Sequence, residues 1–222
     1  MNAREASEKI RQSWVLRRCY SRNPQEACLW AIPLSIAFLA VGFFGTRNVL
    51  LCAALWVAGA LYWTLMEYFL HRFAFHWIPK SKKLHDRVYP IHEHHHDLPN
   101  DLSIVTAGPM FGIPMGAIWY ALTALALGPW FAASLMSGVA FGYLFYEWVH
   151  YEAHAGVHKT GWMGYLKRYH LTHHHIAPNE CFGVTSPFWD KVFRTEFKTT
   201  RQPHSAARKS APRRSSSHSI AR

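Results

Sequence analysis

Cysteine is scarce in this sequence and does not occur in close pairs. The 222 residues include four cysteines, at Cys19, Cys28, Cys52 and Cys181. A zinc knuckle and a disulfide framework both show paired cysteine spacing. Neither is therefore indicated, and we interpret the four cysteines as free thiols.

Charge is absent from four long stretches, residues 29–45, 49–66, 104–127 and 130–146. Each is close to the length of about 20 residues that a helix needs to cross about 30 Å of hydrocarbon. A large soluble helical core is the alternative, but four uncharged runs in so short a chain argue against it. The sequence predicts an all-α integral membrane protein whose four transmembrane helices form two hairpins.

Acidic residues are also few, with 13 Asp and Glu against 24 Lys and Arg and a formal net charge of +11. Such a balance could suggest nucleic acid as a partner, but the basic residues are grouped before the first apolar run, after the second and after the fourth. By the positive-inside rule, both termini and the middle loop face the cytosol. Anionic lipid headgroups, rather than nucleic acid, are the predicted partner of these basic segments.

The two ends of the chain differ in composition from the middle. Residues 1–24 are predicted to form a basic amphipathic segment at the membrane surface. They are too polar to begin a cleaved signal peptide, so we expect the first apolar helix to be retained. Residues 199–222 are rich in Ser, Arg and Pro and predict a disordered basic tail. The membrane domain is therefore assigned to residues 25–198.

Histidine is abundant and clustered. The segment IHEHHHDLPND at residues 91–101 spaces its histidines at i, i+3 and i+4, which places them on one face of a helix, and YHLTHHH at 169–175 repeats this spacing. Besides these two triplets there are two pairs, and the members of one pair, His150 and His154, are four residues apart. The members of the other pair, His71 and His76, are five residues apart, which is about 140° around a regular helix. They can share a site only if the helix ends or bends between them. The sequence thus has four groups of histidines: His92, His95 and His96; His170, His173 and His174; His150 and His154; and His71 and His76.

Ten histidines are more than one metal ion can use, since a structural zinc takes four ligands. We therefore predict two metal ions. The second and fourth apolar helices both run towards the cytosol, so all four clusters can meet there in a helical cap. Nearby polar residues are predicted to accept hydrogen bonds from ligating imidazoles; these are Glu67, Glu147, Asp97, Asp101 and Asn179. Capping the third apolar helix is an equal alternative for Asp101.

Four segments, WTLMEYFLHRFAFHW, HEHHHDLPND, YEWVHYEAH and YHLTHHHIAPNECFGVTSPFWDKVF, resemble the motifs of the fatty acid hydroxylase superfamily. These membrane di-metal enzymes include fatty acid and ceramide 2-hydroxylases and sterol desaturases. The resemblance covers residues 67–193, and FGVTSPFWD resembles the 2-hydroxylase branch in particular. The sequence departs from that branch at Glu93 and Arg194, where Gly is common, and at Glu147, where Asp is common. Position by position, the resemblance implies the same ten histidine ligands, and it identifies no catalytic residue beyond them, so any such residue stays unknown.

The resemblance implies an O2-dependent lipid hydroxylase with two iron ions, acting on C2 of an acyl chain of a fatty acid or sphingolipid. Zinc cannot change its redox state, so zinc in a purified sample would be a replacement. A fused haem-binding donor domain is not recognisable here, and we expect a separate electron donor that resembles cytochrome b5 or ferredoxin.

Two alternatives stay open. One is a sterol or carotenoid hydroxylase or desaturase of the same superfamily. The other is a non-enzymatic metal transporter or store. A transporter would place ionisable residues near the bilayer midplane. The middles of these helices are apolar, which favours the enzyme.

Overall fold

The computed structural model describes residues 1–198, so the predicted tail at 199–222, with His204 and His218, lies outside the described residues. The fold is mostly helical, as predicted. Its α-helices are α1 Ala3–Gln12, α2 Trp14–Arg18, α3 Pro24–Thr46, α4 Val49–Phe69, α5 Lys82–Val88, α6 Glu93–Asp97, α7 Pro109–Leu127, α8 Pro129–Ala155, α9 Gly161–His175 and α10 Phe188–Phe193. A π-helix, Leu70–Phe75, continues α4, and two 3-10 turns occur at Tyr89–Ile91 and Leu102–Ile104.

The all-α prediction missed one small sheet. Strand β1, Tyr20–Ser21, pairs antiparallel with β2, Thr106–Ala107. Two residues are too few to show the alternation by which a strand is recognised in a sequence. This pairing ties the segment before α3 to the segment before α7.

Within residues 1–198, three helices are long and apolar enough to cross a membrane: α3, α4 with its π-helical extension, and α7. The fourth predicted run forms α8, which has 27 residues. Its second half carries Glu147, His150 and His154, and twelve of its residues are buried. A fourth crossing by α8 stays a prediction.

Helix α8 is the centre of the bundle and packs against α3, α4 and α7. Glycine permits its close approach to α4, because a Cβ on Gly138 would overlap the carbonyl oxygen of Trp56, and one on Gly59 would overlap that of Leu135. Further along, Gly142 packs against the side chain of Trp63. From the contact of Trp56 with Gly138 to that of Trp63 with Gly142, the residue numbers increase along both helices, so α4 and α8 run in the same direction. Their histidine-bearing ends therefore lie at the same end of the bundle.

The turn between α3 and α4 is short and locally specified. Helix α3 ends at Thr46, and the following residue, Arg47, adopts a left-handed conformation with φ 53°. Asn48 then caps α4 by accepting a hydrogen bond from the Leu51 amide at 3.0 Å. Side-chain capping of this kind satisfies an amide that the helix itself leaves unpaired. The first predicted hairpin thus has a defined turn at its expected position.

Candidate metal centre

The structure brings all ten predicted histidines together in two groups of five. The first cluster consists of His71, His76, His92, His96 and His173, and the second consists of His95, His150, His154, His170 and His174. Each residue offers one nitrogen, and within a cluster these nitrogens all lie within 4.8 Å of one another. Each cluster could hold one metal ion.

Each histidine triplet divides between the clusters. On a helix, residues i and i+4 differ by about 40° in direction, whereas i+3 and i+4 differ by about 100°. His92 and His96 accordingly enter the first cluster, while His95 enters the second. In α9, His170 and His174 belong to the second cluster, while His173 belongs to the first. The two triplets therefore each contribute to both sites.

The π-helix explains how His71 and His76 share a cluster. The amide of His76 donates to the carbonyl of His71 at 3.3 Å, an i→i−5 hydrogen bond. A π-turn is wider than an α-turn and is frequent at functional sites. It aligns residues five apart, so the two Nε2 atoms lie 3.3 Å from each other.

The spacing of the nitrogens fits metal coordination. In the first cluster, Nε2 of His71 and His92 are 3.0 Å apart, as are those of His76 and His173. In the second, Nε2 of His154 and His170 are 2.9 Å apart. Two imidazole nitrogens bound to one ion at about 2.1 Å and at right angles would be about 3.0 Å apart. The donor set and its geometry therefore suit an ion at the centre of each cluster.

Backbone carbonyls orient two histidines of the first cluster. Nδ1 of His71 lies 2.5 Å from the carbonyl oxygen of Phe182, and Nδ1 of His173 lies 2.7 Å from that of Glu180. A carbonyl can only accept, so each Nδ1 carries the proton. Nε2 is then left with its lone pair directed into the cluster, as ligation requires.

The second cluster contains unpaired nitrogens. Both ring nitrogens of His95 and of His150 are buried and have no hydrogen-bond partner within residues 1–198. Buried polar atoms are nearly always paired, so each such group needs an explanation. A bound ion would satisfy one nitrogen of each ring.

The electrostatic environment keeps the rings neutral. Burial and the neighbouring imidazole of His173 lower the pKa of His96 to about 2. Burial lowers the pKa of His173 to about 4, although the carbonyl of Glu180 acts in the opposite direction. The neutral imidazole is the form that binds metal. Both side chains are therefore ready to bind at physiological pH.

The two predicted acids of the helices contact backbone amides. Glu67 Oε1 accepts from the amides of Val184 and Thr185, each at 2.8 Å, and Oε2 accepts from the Thr185 hydroxyl at 2.8 Å. Glu147 Oε1 accepts from the amide of Ala107 at 3.1 Å. Glu67 thus anchors the loop before α10 and Glu147 anchors strand β2, whereas carbonyl groups orient the imidazoles described above.

The remaining predicted polar residues lie further out. Asp97 accepts from the hydroxyl of Tyr89. Asp101 caps the short turn at Leu102–Ile104 rather than α7, since its Oδ1 accepts from the Ser103 amide at 3.1 Å. Asn179 is exposed in the loop after α9.

Sequence reasoning missed Asp190, which is fully buried. Its Oδ1 accepts from the amide of Phe182 at 2.9 Å and its Oδ2 from that of Gly183 at 2.8 Å. The hydroxyl of Thr195 adds a third hydrogen bond at 2.7 Å. Asp190 therefore fixes the loop whose Phe182 carbonyl orients His71. The FGVTSPFWD motif was the available signal, and its final Asp has this role.

An apolar cavity of about 350 Å³ ends at the two clusters. Its walls come from α3, α4, α7 and α8 and include Trp30, Trp63 and Phe111. His92, His95 and His150 line its histidine end, and Arg87 is the only Lys or Arg among the described residues that line it. An elongated apolar molecule with a polar end would match this distribution.

Comparisons with known proteins agree with this geometry. The fatty acid hydroxylase family model matches residues 56–195. Dihydroceramide fatty acyl 2-hydroxylase FAH2 of Arabidopsis thaliana is 41% identical over 138 residues, 62% of this chain and 58% of that protein. Ceramide very long chain fatty acid hydroxylase SCS7 of Saccharomyces cerevisiae is 35% identical over 173 residues, 75% of this chain and 45% of that protein. The chain thus spans about half the length of these relatives.

A solved structure is also similar. The structure of full-length scs7p, in which only the hydroxylase domain is visible, superposes with a TM-score of 0.76 at 30% identity. The match covers 84% of this chain and 71% of the other. The similarity therefore extends to segments that precede residue 56 or follow residue 195.

Proposed function

This chain belongs to the fatty acid hydroxylase family, and from that premise we propose that it hydroxylates a membrane lipid on C2 of an acyl chain. The two relatives described above are named as a dihydroceramide fatty acyl 2-hydroxylase and a ceramide fatty acid hydroxylase. The substrate class carried over from them is a fatty acid or a sphingolipid.

One observation carries the proposal: the apolar cavity leads to His92, His95 and His150. A metal store needs no apolar cavity beside its ligands, whereas an enzyme that acts on an acyl chain does. The histidines are also gathered at the ends of α4 and α8, and ionisable residues of a transporter would be expected nearer the bilayer midplane. Both features favour the hydroxylase.

We assign one iron ion to each cluster. The five histidines of each cluster would hold that ion, and the pair would supply monooxygenase chemistry, in which O2, two electrons and two protons convert a C–H bond to C–OH and release one water. Imidazole also binds zinc, which has no redox chemistry and would give an inactive protein. The electrons would come from a separate donor protein resembling cytochrome b5 or ferredoxin.

The residues of the chain then act by positioning. The aromatic walls formed by Trp30, Trp63 and Phe111 would hold the acyl chain and exclude water from it. Arg87, which also lines the cavity, would hold the polar head of the lipid. The carbonyls of Phe182 and Glu180 hold protons on the Nδ1 atoms of His71 and His173, which keeps both Nε2 atoms available for metal.

We propose that α8 crosses the membrane as a fourth helix. The histidine clusters then lie in a cap on the cytosolic side, and both termini lie on that side too. Its support is the distribution of basic residues around the apolar helices. Reporter fusions at Asn48 and Gly128 should read as the side opposite to fusions within residues 91–101. Cytosolic readings at both positions would contradict the two hairpins.

The function is tested by producing the full chain, with an electron donor, in a host that makes no 2-hydroxylated lipids. Mass spectrometry should detect 2-hydroxylated acyl chains with the native protein. His95→Ala and His173→Ala should abolish them, because each removes a ligand from one cluster. His158→Ala is the matched control and should retain product, since His158 is exposed and pairs with Glu152.

Product in the His95→Ala or His173→Ala variants would contradict the assignment of the site. A native protein that holds two metal ions, yet alters no lipid with either type of donor, would favour the metal store. Hydroxylated sterols or carotenoids would redirect the proposal to those substrates.

A further inference from the structure

Helix α6 is short for the number of histidines that it carries. It has five residues, Glu93–Asp97, and together with its cap residue His92 it contains four histidines, three of which belong to the clusters. His92 and His96 belong to the first cluster and His95 to the second. An isolated helix of this length is not stable in water, because too few hydrogen bonds offset the cost of its first turn. Contacts from elsewhere must therefore hold α6.

The side chain of His94 lies between the ligands in sequence but belongs to neither cluster. It is buried, and its Nε2 lies 3.0 Å from the hydroxyl oxygen of Ser7 in α1. Its ring also contacts that of Tyr89, with centroids 5.9 Å apart. His94 thus connects α6 to a helix far away in the sequence.

Other contacts hold the same region. Helix α1 packs on α6, and its Ala6 is fully buried. Tyr20, in the strand that follows α2, donates a hydrogen bond to the carbonyl of Pro90, just before α6. On the other side, Tyr89 donates to Asp97 at the end of α6. Residues 1–21 therefore contact the histidine-bearing segment at several points. These 21 residues precede the part of the chain that matches the family model, residues 56–195.

We propose that Ser7 and His94 form a positioning pair that docks α1 on α6 and thereby sets the ligands of both metal sites. The inference rests on the proposed two-metal centre but not on the reaction. Neither residue belongs to a cluster or lines the apolar cavity. Their hydrogen bond limits the rotation of α6 about its axis. Such a rotation would move His95 in the second cluster and His92 and His96 in the first cluster together.

The test measures metal binding by the full chain in lipid nanodiscs. The metal-free protein is titrated with Co²⁺, and the visible absorption bands report the coordination of each ion. Ser7→Ala and His94→Phe, which keeps a ring against Tyr89 but has no nitrogen, should each weaken Co²⁺ binding about 10-fold at both sites, the lower end of what is lost when a supporting residue is removed. The absorption bands should shift as well, because the ligand angles change.

Two variants separate positioning from general stability. Ser7→Thr keeps the hydroxyl and should restore native affinity and bands, whereas Glu8→Ala, on the exposed face of the same helix, should change neither. The double variant of Ser7→Ala and His94→Phe should be no weaker than either single variant, because both remove the same bond.

Native affinity and bands in Ser7→Ala would overturn the proposal. Additive losses in the double variant would do the same, as would failure of Ser7→Thr to restore binding. A native protein that binds no Co²⁺ would instead contradict the metal centre itself, so the two failures are distinguishable.

Discussion

Replacing Asp190 by asparagine should selectively weaken the first metal site. The two carboxylate oxygens accept from different amides, Oδ1 from Phe182 and Oδ2 from Gly183. An asparagine has one oxygen and one NH2 group, so in either orientation the NH2 would face a backbone N–H. One amide would remain unpaired in a buried position, and no rotation of the side chain can prevent this.

The expected magnitude follows from that loss. A buried donor without a partner costs about 1–3 kcal/mol. For a chain of this size, about 2 kcal/mol corresponds to a decrease of about 4–8 °C in the unfolding temperature. The loop that carries the Phe182 and Glu180 carbonyls would also lose its fixed position. Since His71 and His173 both belong to the first cluster, we expect its metal affinity to fall about 10-fold or more.

The assay is a competitive titration of the metal-free protein with Co²⁺ and a chelator, together with thermal unfolding. One of the two binding steps should weaken while the step of the second cluster stays unchanged. Asp101→Asn is the matched control, because asparagine can still cap the turn at Leu102–Ile104. Equal weakening of both steps, or native behaviour of Asp190→Asn, would refute this account of the loop.

Three further predictions concern packing and conformation. Arg194 adopts φ 58°, a region that costs a non-glycine residue about 1–2 kcal/mol, so Arg194→Gly should raise the unfolding temperature by a few degrees in a thermal melt. Gly138→Val should prevent the close contact of α4 with α8 and greatly reduce the yield of monodisperse protein in gel filtration; a native elution profile would contradict the packing. A Cβ on Gly116 would meet no atom within 4 Å, and this residue lines the cavity. Gly116→Phe should therefore leave the fold intact and shift the lipid products towards shorter acyl chains by mass spectrometry, whereas Gly116→Ala should not.

The departures from the family pattern acquire different meanings in the structure. Arg194 stands where glycine is usual, and its left-handed conformation gives the physical reason for that preference. Glu93 pairs with His85 at 2.8 Å on the partly exposed side of α6. Glu147 keeps a carboxylate that holds the Ala107 amide. None of the three changes removes a histidine from a cluster.

The sequence by itself determined the histidine set and the helices that carry it. Uncharged runs predict long apolar helices because burying a charge in hydrocarbon is costly, and the i, i+4 spacing of His92 and His96 or His150 and His154 is a local property of one helix. These signals depend only on near neighbours along the chain. They also indicated that the clusters could converge, since α4 and α8 end on one side.

Only the tertiary structure decided how the ten residues divide. His95 and His96 are adjacent in sequence yet enter different clusters, and His71 and His76 share one because a π-helix forms between them. The partners that orient the rings are backbone carbonyls, which every residue possesses and no sequence pattern marks. The contact of Ser7 with His94 joins residues 87 positions apart. Such contacts depend on how separate helices pack, and periodicity along one helix carries no information about them.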